Sequence, residues 1–220
     1  FVVLGLFAFN TLSVQGAIIQ MVNHGLSTGA LFLIVGMIYD RRHTRMISDF
    51  GGIAQVMPIF ATFFMISTLA SIGLPGLNGF VGEFMILNGS FGSTTLNSKF
   101  FTAFAALGVI LAAVYMLWMY QRVMFGRVKH EENKKLLDLD AREVALLVPL
   151  VIFMVWIGIR PVDFTRYSEQ QVEELLNTAR QKSMTVRNDA KTQELPTWVN
   201  ELYEVKYELA SKSETTKQGD

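Results

Sequence analysis

Cysteine is missing from all 220 residues. Its absence excludes disulfides, thiolate metal sites and iron–sulfur ligation from this chain, so any redox cofactor it serves must sit in another subunit. The second absence is local. Of 19 basic and 19 acidic side chains, none falls in residues 1 to 39, and only Glu83 falls in 50 to 98. The segment from 100 meets its first charge at Arg122, and 144 to 159 holds none. Elements of a water-soluble protein need a charged face, and runs this long and clean have none. They imply an all-α fold, a polytopic transmembrane helix bundle seated in a lipid bilayer. With charge balanced and no basic stripe, nucleic acid is excluded as a partner. Phe1 opens inside an apolar stretch without a basic leader region or a small-residue cleavage site, so the start is not a signal peptide and the chain is expected to be part of a longer protein.

A helix crossing the hydrocarbon core needs about 20 apolar residues. Residues 1 to about 10 are too short and read as the end of a helix, followed by a turn at Thr-Leu-Ser-Val-Gln-Gly (11 to 16). Full spans are expected at 17 to 39, from Pro58 to about Leu87, at 100 to 121 and at 143 to 159. The second is interrupted by Gly73-Leu74-Pro75-Gly76, and the third, with Ala103, Ala105, Ala106, Gly108, Ala112 and Ala113, reads as a small-residue packing helix. Residues 1 to 160 thus form a membrane domain. The remainder, 161 to 220, reads as a polar, amphipathic-helical or partly disordered tail: Val172, Leu175, Leu176 and Ala179 recur at helical spacing, as do Trp198, Leu202, Val205 and Leu209, predicting two short helices split near Pro196.

Loop charge sets orientation. The 40 to 49 loop carries Arg41, Arg42 and Arg45; the 122 to 142 loop carries Arg122, Arg127, Lys129, Lys134, Lys135 and Arg142. The positive-inside bias puts both in the cytoplasm and the tail on the opposite, non-cytoplasmic side.

Chemistry is expected at two places. Gln20, Asn23, His24, Ser27 and Thr28 fall on one helical face over two turns, a polar stripe too costly to present to lipid and therefore turned to protein or a hydrated cavity. A histidine there can be a satisfied structural group or a proton relay, since imidazole exchanges its proton near neutrality. Glu83 is sharper. A carboxyl at membrane depth costs several kcal/mol, and such groups usually mark an ion or proton pathway, the alternative being a structural partner for a basic group elsewhere. The helix break at Gly73, Pro75 and Gly76 supports the pathway reading, because backbone groups freed by a proline survive in a membrane only where protein or water satisfies them. His43 and His130 lie in charged loops without metal-ligand spacing, so no metal is expected.

His24-Gly25-Leu26-Ser27-Thr28-Gly29-Ala30-Leu31-Phe32, continued to Arg45, together with Gly73-Leu74-Pro75-Gly76 and Phe80-Val81-Gly82-Glu83-Phe84, closely resembles the antiporter-like membrane subunits of the M, or chain 4, type in proton-translocating NADH:quinone oxidoreductase, respiratory complex I. The resemblance runs from residue 1 to about 160 and says nothing of the tail. It implies fourteen transmembrane helices, of which this chain holds the end of the tenth and the last four. It also implies a hydrophilic axis of protonatable residues in which His24 matches the axis histidine and Glu83 the terminal channel glutamate of the second broken helix. A non-redox, proton-translocating role follows, with NADH, FMN, iron–sulfur clusters and quinone in other subunits and the other membrane subunits as partners. The alternatives are a subunit of a multisubunit Na⁺(K⁺)/H⁺ antiporter or of a membrane-bound hydrogenase, which share the broken-helix plan.

Overall fold

The computed structural model describes residues 1–95 and 99–192, with side chains through Val186. The architecture is all-helical: α1 (Val2–Phe7), α2 (Thr11–Arg42), α3 (Ile53–Val56), α4 (Pro58–Ser71), α5 (Asn78–Phe91), α6 (Lys99–Met124), α7 (Ala141–Ile159) and α8 (Val162–Thr192). Three of these, α2, α6 and α7, are long and apolar enough to cross a membrane individually.

The expected turn at 11 to 16 is instead the first turn and a half of α2, because Asn10 caps it. The Asn10 side chain accepts from the Ser13 N–H at 3.0 Å and donates to the Gly89 carbonyl at 2.7 Å, so one residue starts α2 and fixes the end of α5 against it. The same turn buries Ser13, Gln15 and Gly16, and a Cβ at Gly16 would press on Met85 and Ile86. The other end of α2 closes on His43, left-handed at φ 51°, with Arg41 and Arg42 in the last turn where cations suit the helix dipole.

The broken span is borne out as two half-helices, α4 and α5, of 14 residues each. At 1.5 Å per residue each covers about 21 Å, short of a ~30 Å hydrocarbon core, so neither spans alone. Gly73 (φ 74°) and Gly76 (φ 94°) take left-handed conformations that a side chain disfavours, and Leu77 N–H closes on the Leu74 carbonyl at 3.1 Å. α7 covers this break closely: a Cβ at Gly158 would collide with the Gly76 carbonyl.

A salt-bridged corner on the basic side orients the helices. Arg41 makes a bidentate pair with Glu143 at 2.7 and 2.6 Å and also donates to the carbonyls of Met37, Leu137 and Asp138. Glu143 in turn completes a capping box with Asp140 at the start of α7. The next acid upstream, Asp138, accepts from the Ile59 and Phe60 N–H groups at 2.8 and 3.0 Å, capping α4 from a distant loop. Below this corner lies the main core, built on Ile34, Ile53, Met57, Phe60, Leu147 and Met154, with Tyr120 of α6 donating to the Ala61 carbonyl at 2.9 Å.

α6 runs to Met124, past the expected end, and buries only Thr102, Tyr120, Val123 and Met124. On this chain Ala105, Ala106, Ala112 and Ala113 are half-buried, and Ala103 and Gly108 are exposed beside Phe100, Phe104 and Leu111. The start of the tail is likewise a single helix rather than a short one, since no proline or glycine interrupts 162 to 192. Val172 and Leu176 bury against Val14, as their spacing predicts, while Leu175 is exposed. The chain divides into two compact units, Phe1–Leu176 and Asn177–Asp220. In the second, α8 continues to Thr192, with Met184 and Val186 exposed; Pro196 and the predicted helix around Trp198 lie outside the described residues.

Candidate functional site

Glu83 sits in the second turn of α5, half-buried. Side chains on a helix lean toward its N-terminus, so from this position the carboxyl reaches back to the break that precedes the helix. It lies directly on Gly73, where any Cβ would overlap Glu83 Oε2. Among the described residues no lysine, arginine or histidine forms an ion pair with it. The helix break and the carboxyl, two separate features in the sequence, are therefore in direct contact at Gly73.

The polar side of α2 meets the same region. Asn23, fully buried, donates to the Asn78 carbonyl at 2.7 Å, and Asn78 donates back to the Asn23 carbonyl at 3.1 Å, so the backbone of α2 is tied to the first residue of α5. One residue of α5 from Glu83, Gly82 leaves the space that Gln20 fills; a Cβ there would overlap Gln20 Oε1. Ser27 is buried and donates to the Asn23 carbonyl at 2.8 Å.

The stripe expected on α2 divides at this contact. Gln20 and Asn23 meet α5 and Ser27 is buried, whereas His24 is exposed on this chain and Thr28 half-buried, the two sharing a hydrogen bond between Thr28 Oγ1 and His24 Nδ1 at 3.1 Å. Consecutive residues lie 100° apart on a helix, and α5 meets α2 closely at Gly82, which receives Gln20, so it takes only one edge of the stripe. His24 is not brought against Glu83.

Four polar residues of this region carried no expectation from the sequence. Asn78 opens α5, and Ser67, Thr68 and Ser71 lie in the last turns of α4. The hydroxyls of Ser67, Thr68 and Ser71 and the side-chain oxygens of Asn23 and Asn78 are buried without a protein hydrogen-bond partner. The sequence shows four hydroxyls in α4, Thr62, Ser67, Thr68 and Ser71, but not that Thr62 is satisfied by the Pro58 carbonyl at 2.9 Å while the other three are left unpartnered. Among the described residues no three His, Asp or Glu side chains converge as a metal ligand set.

What the arrangement offers is a protonatable carboxyl on a helix break, in a region whose α4 and α2–α5 contacts also bury polar oxygens able to hydrogen-bond further. Comparison with known proteins identifies its setting. Residues 1–110 match the family model described as NADH:quinone oxidoreductase/Mrp antiporter, TM. NADH-quinone oxidoreductase subunit M of Rhodobacter capsulatus is 48% identical over 161 residues, covering 73% of this chain and 31% of that protein. NADH-ubiquinone oxidoreductase chain 4 of Marchantia polymorpha is 42% identical over 176 residues, covering 80% of this chain and 35% of that one. In the solved structure of respiratory complex I from Thermus thermophilus with bound NADH, a chain 31% identical superposes with a TM-score of 0.73 over 80% of this chain and 36% of its own length. The chain spans about a third of the length of the relatives it matches. It belongs to the NADH:quinone oxidoreductase/Mrp antiporter membrane family, as a partial, multi-pass chain of the complex I subunit M (chain 4) type.

Proposed function

We propose that this chain is part of a subunit that moves protons across the membrane, driven by electron transfer from NADH to quinone in other subunits, and that Glu83 is its proton-carrying group. The observation that carries the reading is the contact of the Glu83 carboxyl with Gly73 at the break between α4 and α5. The same region holds Ser67, Thr68 and Ser71 at the end of α4, ahead of the break, and Gln20, Asn23 and Asn78 where α2 meets α5. Their unpartnered buried oxygens are of the kind that internal water satisfies, and a hydrated chain of that sort can relay a proton to and from a carboxyl. His24 and Thr28 stand outside this cluster and, in the longer subunit, extend the path to helices that precede this chain.

The proposed topology puts Arg41, Arg122 and the loop before α7 on the cytoplasmic side of a bacterial plasma membrane and α8 on the other. Replacement Glu83→Gln in the full complex keeps shape and removes the proton. Proton translocation should fall about a hundredfold or more, the usual weight of an essential proton-transfer group, while the complex still assembles. Measurement of proton uptake into vesicles decides it: undiminished pumping in an assembled complex ends the assignment, and loss of assembly in both Glu83→Gln and Glu83→Ala would make Glu83 a structural partner instead. An antiporter role, the other activity named in the family's description, would, if it exchanges Na⁺ or K⁺ for protons, need that cation and continue without NADH.

A further inference from the structure

Two clefts flank the turn Ile47–Asp49 on the basic side of the bundle. One, of about 590 Å³, is lined by Trp118, Gln121, Arg122 and Phe125 at the end of α6 and by Lys129 of the loop that follows. The other, of about 340 Å³, lies between α2, α4 and α6; Ile34, Phe60, Phe64 and Met119 make it apolar, and Arg45 lines it too. Ile47 and Phe50 line both clefts, which therefore share a wall.

The cations here have no acid to bind. Arg122 rests over the Trp118 ring at 4.4 Å and Arg45 over the Tyr39 ring at 4.7 Å, and among the described residues neither they nor Lys129 meets a carboxylate. Several acids of the same loops are already engaged: Asp49 by the Thr44 and Ser48 hydroxyls, Glu131 by Lys134, Glu132 by Arg42 and Glu143 by Arg41. Toward the membrane from Arg122, the exposed face of α6 continues through Trp118, Tyr115, Val114 and Leu111 at helical spacing. A pair of free cations beside an indole, above an apolar helix face and next to an apolar slot, matches an amphiphile with an anionic head.

We propose that this face holds an anionic phospholipid of the leaflet on the basic side, its phosphate between Arg122 and Lys129, one acyl chain in the cleft between α2, α4 and α6 and the other along α6. Inorganic phosphate would leave the apolar cleft unused. A protein partner would have to bring carboxylates to the same cations and displace the lipid. The inference rests on the membrane setting and is independent of Glu83.

The test uses the full complex in its native membrane, with the photoreactive residue p-benzoylphenylalanine placed at Gln121, which lines the first cleft. After irradiation, mass spectrometry of the Gln121 peptide should show an adduct with an anionic phospholipid. In the R122Q/K129Q background its yield should drop roughly thirtyfold, the weight of two cations facing an anionic leaflet. Adducts with polypeptide, no lipid adduct, or a lipid adduct unchanged in the double variant would overturn the proposal. Should the double variant not assemble, the complex carrying only the photoreactive residue is reconstituted into vesicles of phosphatidylcholine alone or with phosphatidylglycerol. A phosphatidylglycerol adduct that dominates beyond its share of the vesicle supports the site, and adducts in proportion to bulk composition remove it.

Discussion

At the scale of single residues, Gly73 decides where Glu83 is. Its left-handed backbone and its missing Cβ are both in use, the first by the break and the second by the carboxyl lying on it. Gly73→Ala should therefore cost about 1–2 kcal/mol for the left-handed backbone and also push Glu83 from its seat. The expected outcome is a complex with a modestly lowered melting temperature and a proportionally much larger loss of pumping, which separates displacement of the carboxyl from simple destabilisation. Asn23 gives a contrasting case. Its side chain is buried and bonded to the α5 backbone, so Asn23→Leu should destabilise by about 1–3 kcal/mol through the orphaned partners, read as a lowered thermal midpoint of the complex. Glu83 could be found in the sequence because a lone charge among apolar residues has few benign explanations. Asn78 and the hydroxyls of α4 could not be ranked, because serine and threonine often satisfy themselves on their own helix, and only neighbouring backbone reveals whether they do.

For the elements, the break into α4 and α5 was legible from Gly73, Pro75 and Gly76, since their backbone preferences act locally. What holds the two halves was not. The free N–H groups at the start of α4 are capped by Asp138, nearly eighty positions away in sequence, with |i−j| of 79 and 78 for its two bonds. Asp138→Ala should lower stability by about 0.5–2 kcal/mol, with Asp138→Asn recovering part of it, measured by thermal unfolding of the detergent-solubilised complex. The start of α2 shows the reverse error. Thr11, Ser13 and Gln15 look like turn residues, but the Asn10 cap and the close approach of α5 at Gly16 recruit them into helix. α6 is a third case: its alanine spacing marks a face suited to close packing, and within this chain it buries only Thr102 and the last turns around Tyr120, Val123 and Met124.

For the whole molecule, the helix order and the grouping of basic loops predict sidedness. The chain contains no cysteine, which makes the prediction simple to check. Lys129→Cys and Thr94→Cys, introduced singly, should label from opposite faces of sealed vesicles, Lys129→Cys from the cytoplasmic face and Thr94→Cys from the other, and labelling of both from one face would refute the topology. The corner joining Arg41, Glu143 and Asp138 lies at the basic end and holds the ends of α2, α4 and α7 together. It is built from charges that the sequence marks only as loop residues or, for Glu143, as the first residue of a span, because their partners lie about a hundred positions apart.

The sequence by itself determined the membrane class, the helical spans, the break and the one carboxyl within them, because the cost of placing charge and unpaired backbone in hydrocarbon acts on every residue regardless of its neighbours. Tertiary structure alone decided which polar groups meet. The packing of α5 on one edge of α2 took Gln20 and Asn23 to the break and left His24 with Thr28 on the outside. A helical face is wider than the groove that receives it, and the groove belongs to another part of the chain.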